Sequence, residues 1–180
     1  MTPKKILRRP QPADTPNWGQ SLPPILRRLY GARGVHSDDQ LQYTLKHLAS
    51  PMQLRGIDRA VELLADAVVQ KQRVMILGDF DADGATSTAV AMLGLSMLGV
   101  PSVDFRVPSR FSDGYGLTPG IIHRLQEEGE LPDLLITVDN GISAHEGVRA
   151  ARELGVRTII TDHHLAGETL PEADAIVNPN

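Results

Sequence analysis

From residue 73 onward, short apolar runs alternate with segments of helical period. No other feature of the chain limits its fold so strongly. Val74-Met75-Ile76-Leu77 is apolar without a break, as suits a strand buried on both faces. Val103–Val107, Leu134–Val138, Thr158–Ile160 and Ala175–Val177 predict four further strands. Between them, Gly84–Gly99 is rich in Ala, Leu and Met and predicts a helix. Thr118-Pro119, a cap followed by proline at the first helical position, opens another to about Glu128. Ser143-Ala144-His145-Glu146 reads as a capping box, opening a helix that stops at Gly155. Strands alternating with helices predict an α/β fold: a parallel sheet with helices on both faces, joined by right-handed crossovers.

The first third of the chain is different. Six of the 13 prolines fall in residues 1–24, and no hydrophobic period accompanies them, so 1–21 reads as an extended, basic, Pro-rich arm. A small helical region is expected over 22–56. Leu22–Tyr30 predicts a short helix. Ser37 predicts a second, with Gln40 completing a capping box, Leu41, Leu45 and Leu48 on one face, and Pro51 as its stop. Helical spacing of Ile57, Ala60, Val61, Leu64 and Val68 then carries the chain to about Lys71 and begins the α/β domain, expected over 57–180.

Residues 1–33 hold seven Lys/Arg against Asp14 alone, a local charge of +6 on a chain of net charge −4, so the remainder carries −10. Cysteine is absent, which excludes a disulfide scaffold, a zinc–thiolate site and a thiol nucleophile, and fits a reducing, cytoplasmic setting. No apolar run approaches the roughly 18 residues needed to span a bilayer. The basic N-terminus has no apolar stretch behind it, so it is not a secretory signal.

Ligands in a parallel sheet bind beyond the carboxyl ends of the strands. Three of those ends carry polar clusters: Gly78-Asp79-Phe80-Asp81-Ala82-Asp83-Gly84, Asp139-Asn140-Gly141 and Asp162-His163-His164. Five aspartates converging on one edge repel one another unless cations neutralise them. Oxygen donors with some imidazole and no sulfur favour Mn²⁺ or Mg²⁺, and the ligand number suits two ions, the usual means of activating water against a phosphoester. Any one of these aspartates alone would be a helix cap or turn residue. Asp-x-Asp-x-Asp-Gly also opens an EF-hand, but the twelfth position from Asp79 is Val90, where that loop needs Glu.

GDFDADG, VDNGIS and TDHH, in this order and on these strand ends, resemble the first three motifs of the DHH phosphoesterase superfamily. The likeness is greatest to its single-strand-specific exonuclease branch. It extends to LPPILRRLYGARG (22–34), VPSRFSDGYGL (107–117) and DAIVNPN (174–180). It implies hydrolysis of single-stranded DNA from the 5′ end to mononucleotides, in recombination and repair, with Mn²⁺ or Mg²⁺, two ions in the complete enzyme. Single-strand-binding protein and a helicase are the implied partners. By resemblance Asp81 binds one ion and Asp83 the other, Asp139 bridges both, His163 ligates the second, and His164 ligates or contacts the scissile phosphate. Asp79 lies in or next to the ligand set, and Asp162 orients a histidine. The pyrophosphatase branch has a metal-binding His where this chain has Leu77. The superfamily has a further metal-binding Asp beyond its Asp-His-His segment, so 1–180 is expected to be an N-terminal piece, inactive or weakly active alone. Arg106, Arg110 and Tyr115, around the Gly114-Tyr115-Gly116 turn, are expected to clamp phosphate and stack on a base. Two alternatives stay open: a DHH-type phosphoesterase of small nucleotides, and a non-catalytic DHH module that holds DNA or a partner.

Overall fold

The computed structural model describes residues 7, 18–109 and 111–180; most of the arm expected over 1–21, and Arg110, lie outside them. The chain divides into two compact units, Met1–Ala49 and Ser50–Asn180.

In the first unit, α1 spans Pro24–Gly31, with proline at its first turn and Ala32 donating back to the Arg28 carbonyl. The second helix expected from Ser37 does not form. Gln40 does fold back, its Oε1 accepting from the His36 and Ser37 N–H groups at 2.6 and 3.2 Å. The backbone then leaves the helical region, at φ −89° and ψ 108° for Gln42 and φ −103° and ψ 153° for Thr44. What remains is two single 3-10 turns, Asp39–Leu41 and Leu45–His47. Leu45 and Leu48 are 86% and 73% exposed. A short helix depends on burying its apolar face, and this leucine face buries almost nothing.

The second unit is a three-layer α/β sandwich. After a 3-10 turn at Pro51–Gln53 come α2 (Ile57–Val69), β1 (Arg73–Leu77), α3 (Ala82–Met97), β2 (Ser102–Arg106), α4 (Pro119–Glu127), β3 (Leu134–Val138), α5 (His145–Glu153), β4 (Arg157–Thr161) and β5 (Ala175–Val177). The five strands are all parallel, in the order β2-β1-β3-β4-β5. Alternate strand residues feed two cores. Val74, Ile76, Leu134, Ile136 and Ile159 pack with Leu63 and Ala67 of α2 and Leu95 of α3. Met75, Leu77, Leu135 and Ile160 pack with Ile122 and Leu125 of α4 and Val148 and Ala151 of α5. Thr118 caps α4 as predicted, its Oγ1 accepting from the Ile121 N–H at 3.4 Å. The predicted box at Ser143 does not form. Bonds from Ala144 N–H to the Gly141 carbonyl and from His145 N–H to the Ser143 carbonyl close a tight turn first, and α5 starts uncapped at His145.

The strand order fixes where chemistry can sit. From β1 the chain crosses to β2 on one side, then returns past β1 to β3 on the other, and the intervening helices lie on opposite faces. The chain thus leaves β1 through α3 on one face and the adjacent β3 through α5 on the other, and this divergence at their carboxyl ends leaves a crevice.

Candidate metal centre

The acids and histidines singled out in the sequence meet over this crevice. Asp79 follows β1; it is 4% exposed, and its Oδ1 accepts from the Phe80 N–H at 2.7 Å. Asp81 caps α3, its Oδ1 accepting from the Gly84 N–H at 3.0 Å. Asp139 follows β3, buried, at φ 63°. The left-handed region is costly for most residues and tolerated by aspartate. Its N–H donates to the Thr161 carbonyl of β4 at 3.1 Å, and its carboxylate meets His163 Nε2 at 2.9 Å.

Donor atoms form two clusters, each with its atoms within 4.8 Å of one another: Asp79, Asp81 and Asp139, and Asp139, His163 and His164. Asp139 belongs to both. Asp83, expected among the ligands, lies outside these clusters. It lines, with Thr86, Ser87, Val90 and Ala91 of α3, an open cavity of about 640 Å³ whose opposite wall is Val138, Asp139, Thr161, Asp162 and His163.

Asp162 accepts from the N–H groups of Ile142, His163 and His164 at 2.9, 2.7 and 3.1 Å, and bonds the His164 ring at Nδ1, 2.7 Å away. Burial alone would raise its pKa. The donors from Ile142, from His164 and from His163 overcome this and hold it below the usual carboxylate range. Its hydrogen bond in turn raises the His164 pKa. With Nδ1 committed to Asp162, Nε2 is the His164 nitrogen left for other partners. Two asparagines brace the same loop: Asn178 Nδ2 donates to the His164 carbonyl at 2.9 Å, and Asn180 Nδ2 to that of His163 at 2.6 Å.

The electrostatics ask for a cation. Asp139 is pushed up, first by burial and then by the Asp81 charge, against the opposing pull of His163. Asp81 is held low, chiefly by the Gly84 N–H bond. Carboxylates this close are tolerated as anions when a metal lies between them, and oxygen donors with imidazole fit Mn²⁺ or Mg²⁺.

Tyr115 overlooks the cluster. Its hydroxyl reaches the Asp139 carbonyl at 3.5 Å, and its ring meets Phe80 and His164 edge-on, with centroids 6.3 Å from each. Burial, then the charges of Asp79, Asp162, Asp139 and Asp81, push its phenol up to about 12. Arg106, expected to clamp phosphate, sets its guanidinium against Glu130 and, at 3.8 Å, against Glu128. Sequence reasoning missed Asn140, Asn178, Asn180 and the α3 wall of the cavity. Asn140 stands inside VDNGIS, and Asn178 and Asn180 inside DAIVNPN, but an amide carries no charge signal of its own.

Residues 73–180 match the model of the DHH family, N-terminal domain. The chain is 48% identical over 180 residues to the single-stranded-DNA-specific exonuclease RecJ of Salmonella typhimurium, covering 100% of this chain and 31% of that protein. It is 49% identical over 174 residues to the Escherichia coli protein of the same name, covering 97% and 30%. The chain thus spans about a third of the length of these relatives. A solved structure of exonuclease RecJ bound to manganese superposes with a TM-score of 0.64 at 39% identity, over 73% of this chain and 33% of that one. Three acid-bearing strand ends around one crevice, and a family model that matches the sheet from its first strand to its last, lead to one assignment: the chain belongs to the DHH family.

Proposed function

We propose that the protein hydrolyses phosphodiester bonds of single-stranded DNA, from the 5′ end, using two Mn²⁺ or Mg²⁺ ions. The observation that carries this is Asp139, the one residue common to both donor clusters. The relatives' names supply the substrate class. Asp79, Asp81 and Asp139 would hold one ion, and Asp139, His163 and His164 the other, with Asp83 reaching in from the cavity wall. Such ions polarise phosphoryl oxygens and acidify water when bound. Asp139 sets the spacing of the two clusters. Asp162 keeps His164 in one tautomer and one orientation. Tyr115, protonated at neutral pH, offers a hydroxyl and a ring face beside the reacting phosphate. Arg106 and Arg110 would meet phosphates along the strand, Arg106 by giving up its exposed pairs with Glu130 and Glu128. A nuclease of single strands needs them opened and kept open, so a helicase and a single-strand-binding protein are its natural partners, in the cytoplasm.

The test uses the full-length protein with Mn²⁺ and oligonucleotides labelled at either end. The 5′ label should be released at once as mononucleotide while a 3′ label stays on the shortening strand, and Asp139→Ala should lower turnover by more than about 100-fold, since both clusters lose a donor. Faster hydrolysis of dinucleotides than of long single strands would move the protein to the small-nucleotide phosphoesterases. Retained turnover in Asp139→Ala would remove that residue from the metal centre.

A further inference from the structure

Asn140 is fully buried between the two strands that carry the metal centre. Its Nδ2 donates twice, to the carbonyls of Leu77 and Val138, both at 3.0 Å. These are the last residues of β1 and β3. The main-chain register between those strands ends at the pair Leu77–Thr137. The Asn140 amide therefore adds a link just where the backbones part and the switch-point crevice opens.

That link sits between the donors. Asp79 stands two residues beyond Leu77, and Asp139 directly precedes Asn140. Asp139 is tied to β4 through its own N–H, while Asn140 ties the following residue to β1. The left-handed conformation of Asp139 is thus held from both sides. A third loop leans on the same side chain. Gly116, at φ 64°, lies so close that a Cβ there would stand 3.1 Å from Asn140 Oδ1 and 3.3 Å from its Cβ. The turn presenting Tyr115 is seated on this amide. Oδ1 itself is buried without a hydrogen-bond partner. An unpaired buried acceptor costs stability, and an apolar side chain of similar volume would avoid that cost. The two donated bonds are the service the amide performs.

We propose that Asn140 is a positioning residue that fixes the Asp79–Asp81 loop against Asp139, and so sets the affinity of both donor clusters for divalent cations. This rests on the reading that those clusters hold the cations.

Mn²⁺ titration calorimetry of the full-length protein tests it, on the wild type, Asn140→Leu and Leu63→Ala. Leu63 is wholly buried on the sheet-facing side of α2, and its truncation is destabilising without touching the site. Asn140→Leu should weaken Mn²⁺ by about 10- to 100-fold, the range of residues that orient ligands, while Leu63→Ala lowers the melting temperature and keeps the affinity. Wild-type affinity in a folded Asn140→Leu would overturn the positioning role alone; absence of Mn²⁺ binding in the wild type would overturn the metal reading as well. If Asn140→Leu does not fold, the wild-type side-chain amide gives the answer by NMR. Its protons should shift and exchange more slowly as Mg²⁺ is added, and an amide indifferent to Mg²⁺ would overturn the proposal.

Discussion

Gly84 illustrates how tightly the site is built. It lies in the first turn of α3, where alanine would ordinarily favour a helix by about 1 kcal/mol. A Cβ at this position would stand 2.4 to 2.6 Å from the main chain of Asp79. Gly84→Ala should therefore destabilise, by about 1–3 kcal/mol, as overpacking against backbone does. Thermal denaturation checks the sign: a higher melting temperature would mean that the Asp79 loop yields freely. At this scale the acids and histidines were legible only together, because three strand ends carry them at once, while any single aspartate, like Asp81 at the start of α3, also serves as a cap. The support was not. Nothing in the residue types marks Gly84 as a contact of Asp79, or Asn140 as a tie between two strands. Nor do they mark Glu128 and Glu130, more than twenty residues away, as the acids that Arg106 meets.

Among the elements, the central strands β1, β3 and β4 declared themselves because burial on both faces leaves short apolar runs with little other use, whereas the edge strand β2 is largely exposed. The helix predicted from Ser37 failed because its capping chemistry was local and its burial was not supplied; Gln40 made its bonds and the helix still stopped. The loop between β2 and α4 carries a device invisible to periodicity. Asp113 accepts from the Arg124 guanidinium, from the Ser109 N–H at 2.7 Å and from the Ser112 hydroxyl at 3.1 Å, clasping the loop onto α4. The Arg124 bond, then that from Ser109, lowers its pKa from 3.8 to about 2. A depressed carboxylate stabilises the fold above its unfolded pKa and loses that contribution as pH falls through its folded pKa. The melting temperature of Asp113→Asn should accordingly lie below wild type by a constant margin at neutral pH. That margin should narrow between about pH 4 and about pH 2. A margin independent of pH across that interval would show that the clasp does not depend on the charge.

For the molecule as a whole, alternation of strand and helix foretold the parallel sheet. The order β2-β1-β3-β4-β5, which decides which strand ends become neighbours, had to come from the structure. It is this order that sets the β1 and β3 loops side by side and lets Asp139 face both the Asp79–Asp81 loop and the two histidines. The acidic balance beyond residue 33 is consistent with a centre made of carboxylates. No helix among the described residues is long and apolar enough to cross a membrane. The central claim is that two cation sites share one carboxylate. Anomalous diffraction at the manganese edge, from crystals grown with Mn²⁺, tests it most directly. The account predicts density within about 2.1 Å of Asp139 carboxylate oxygens, on the Asp79–Asp81 side and on the His163–His164 side. Manganese bound by other acids, with Asp139 free of it, would contradict the account.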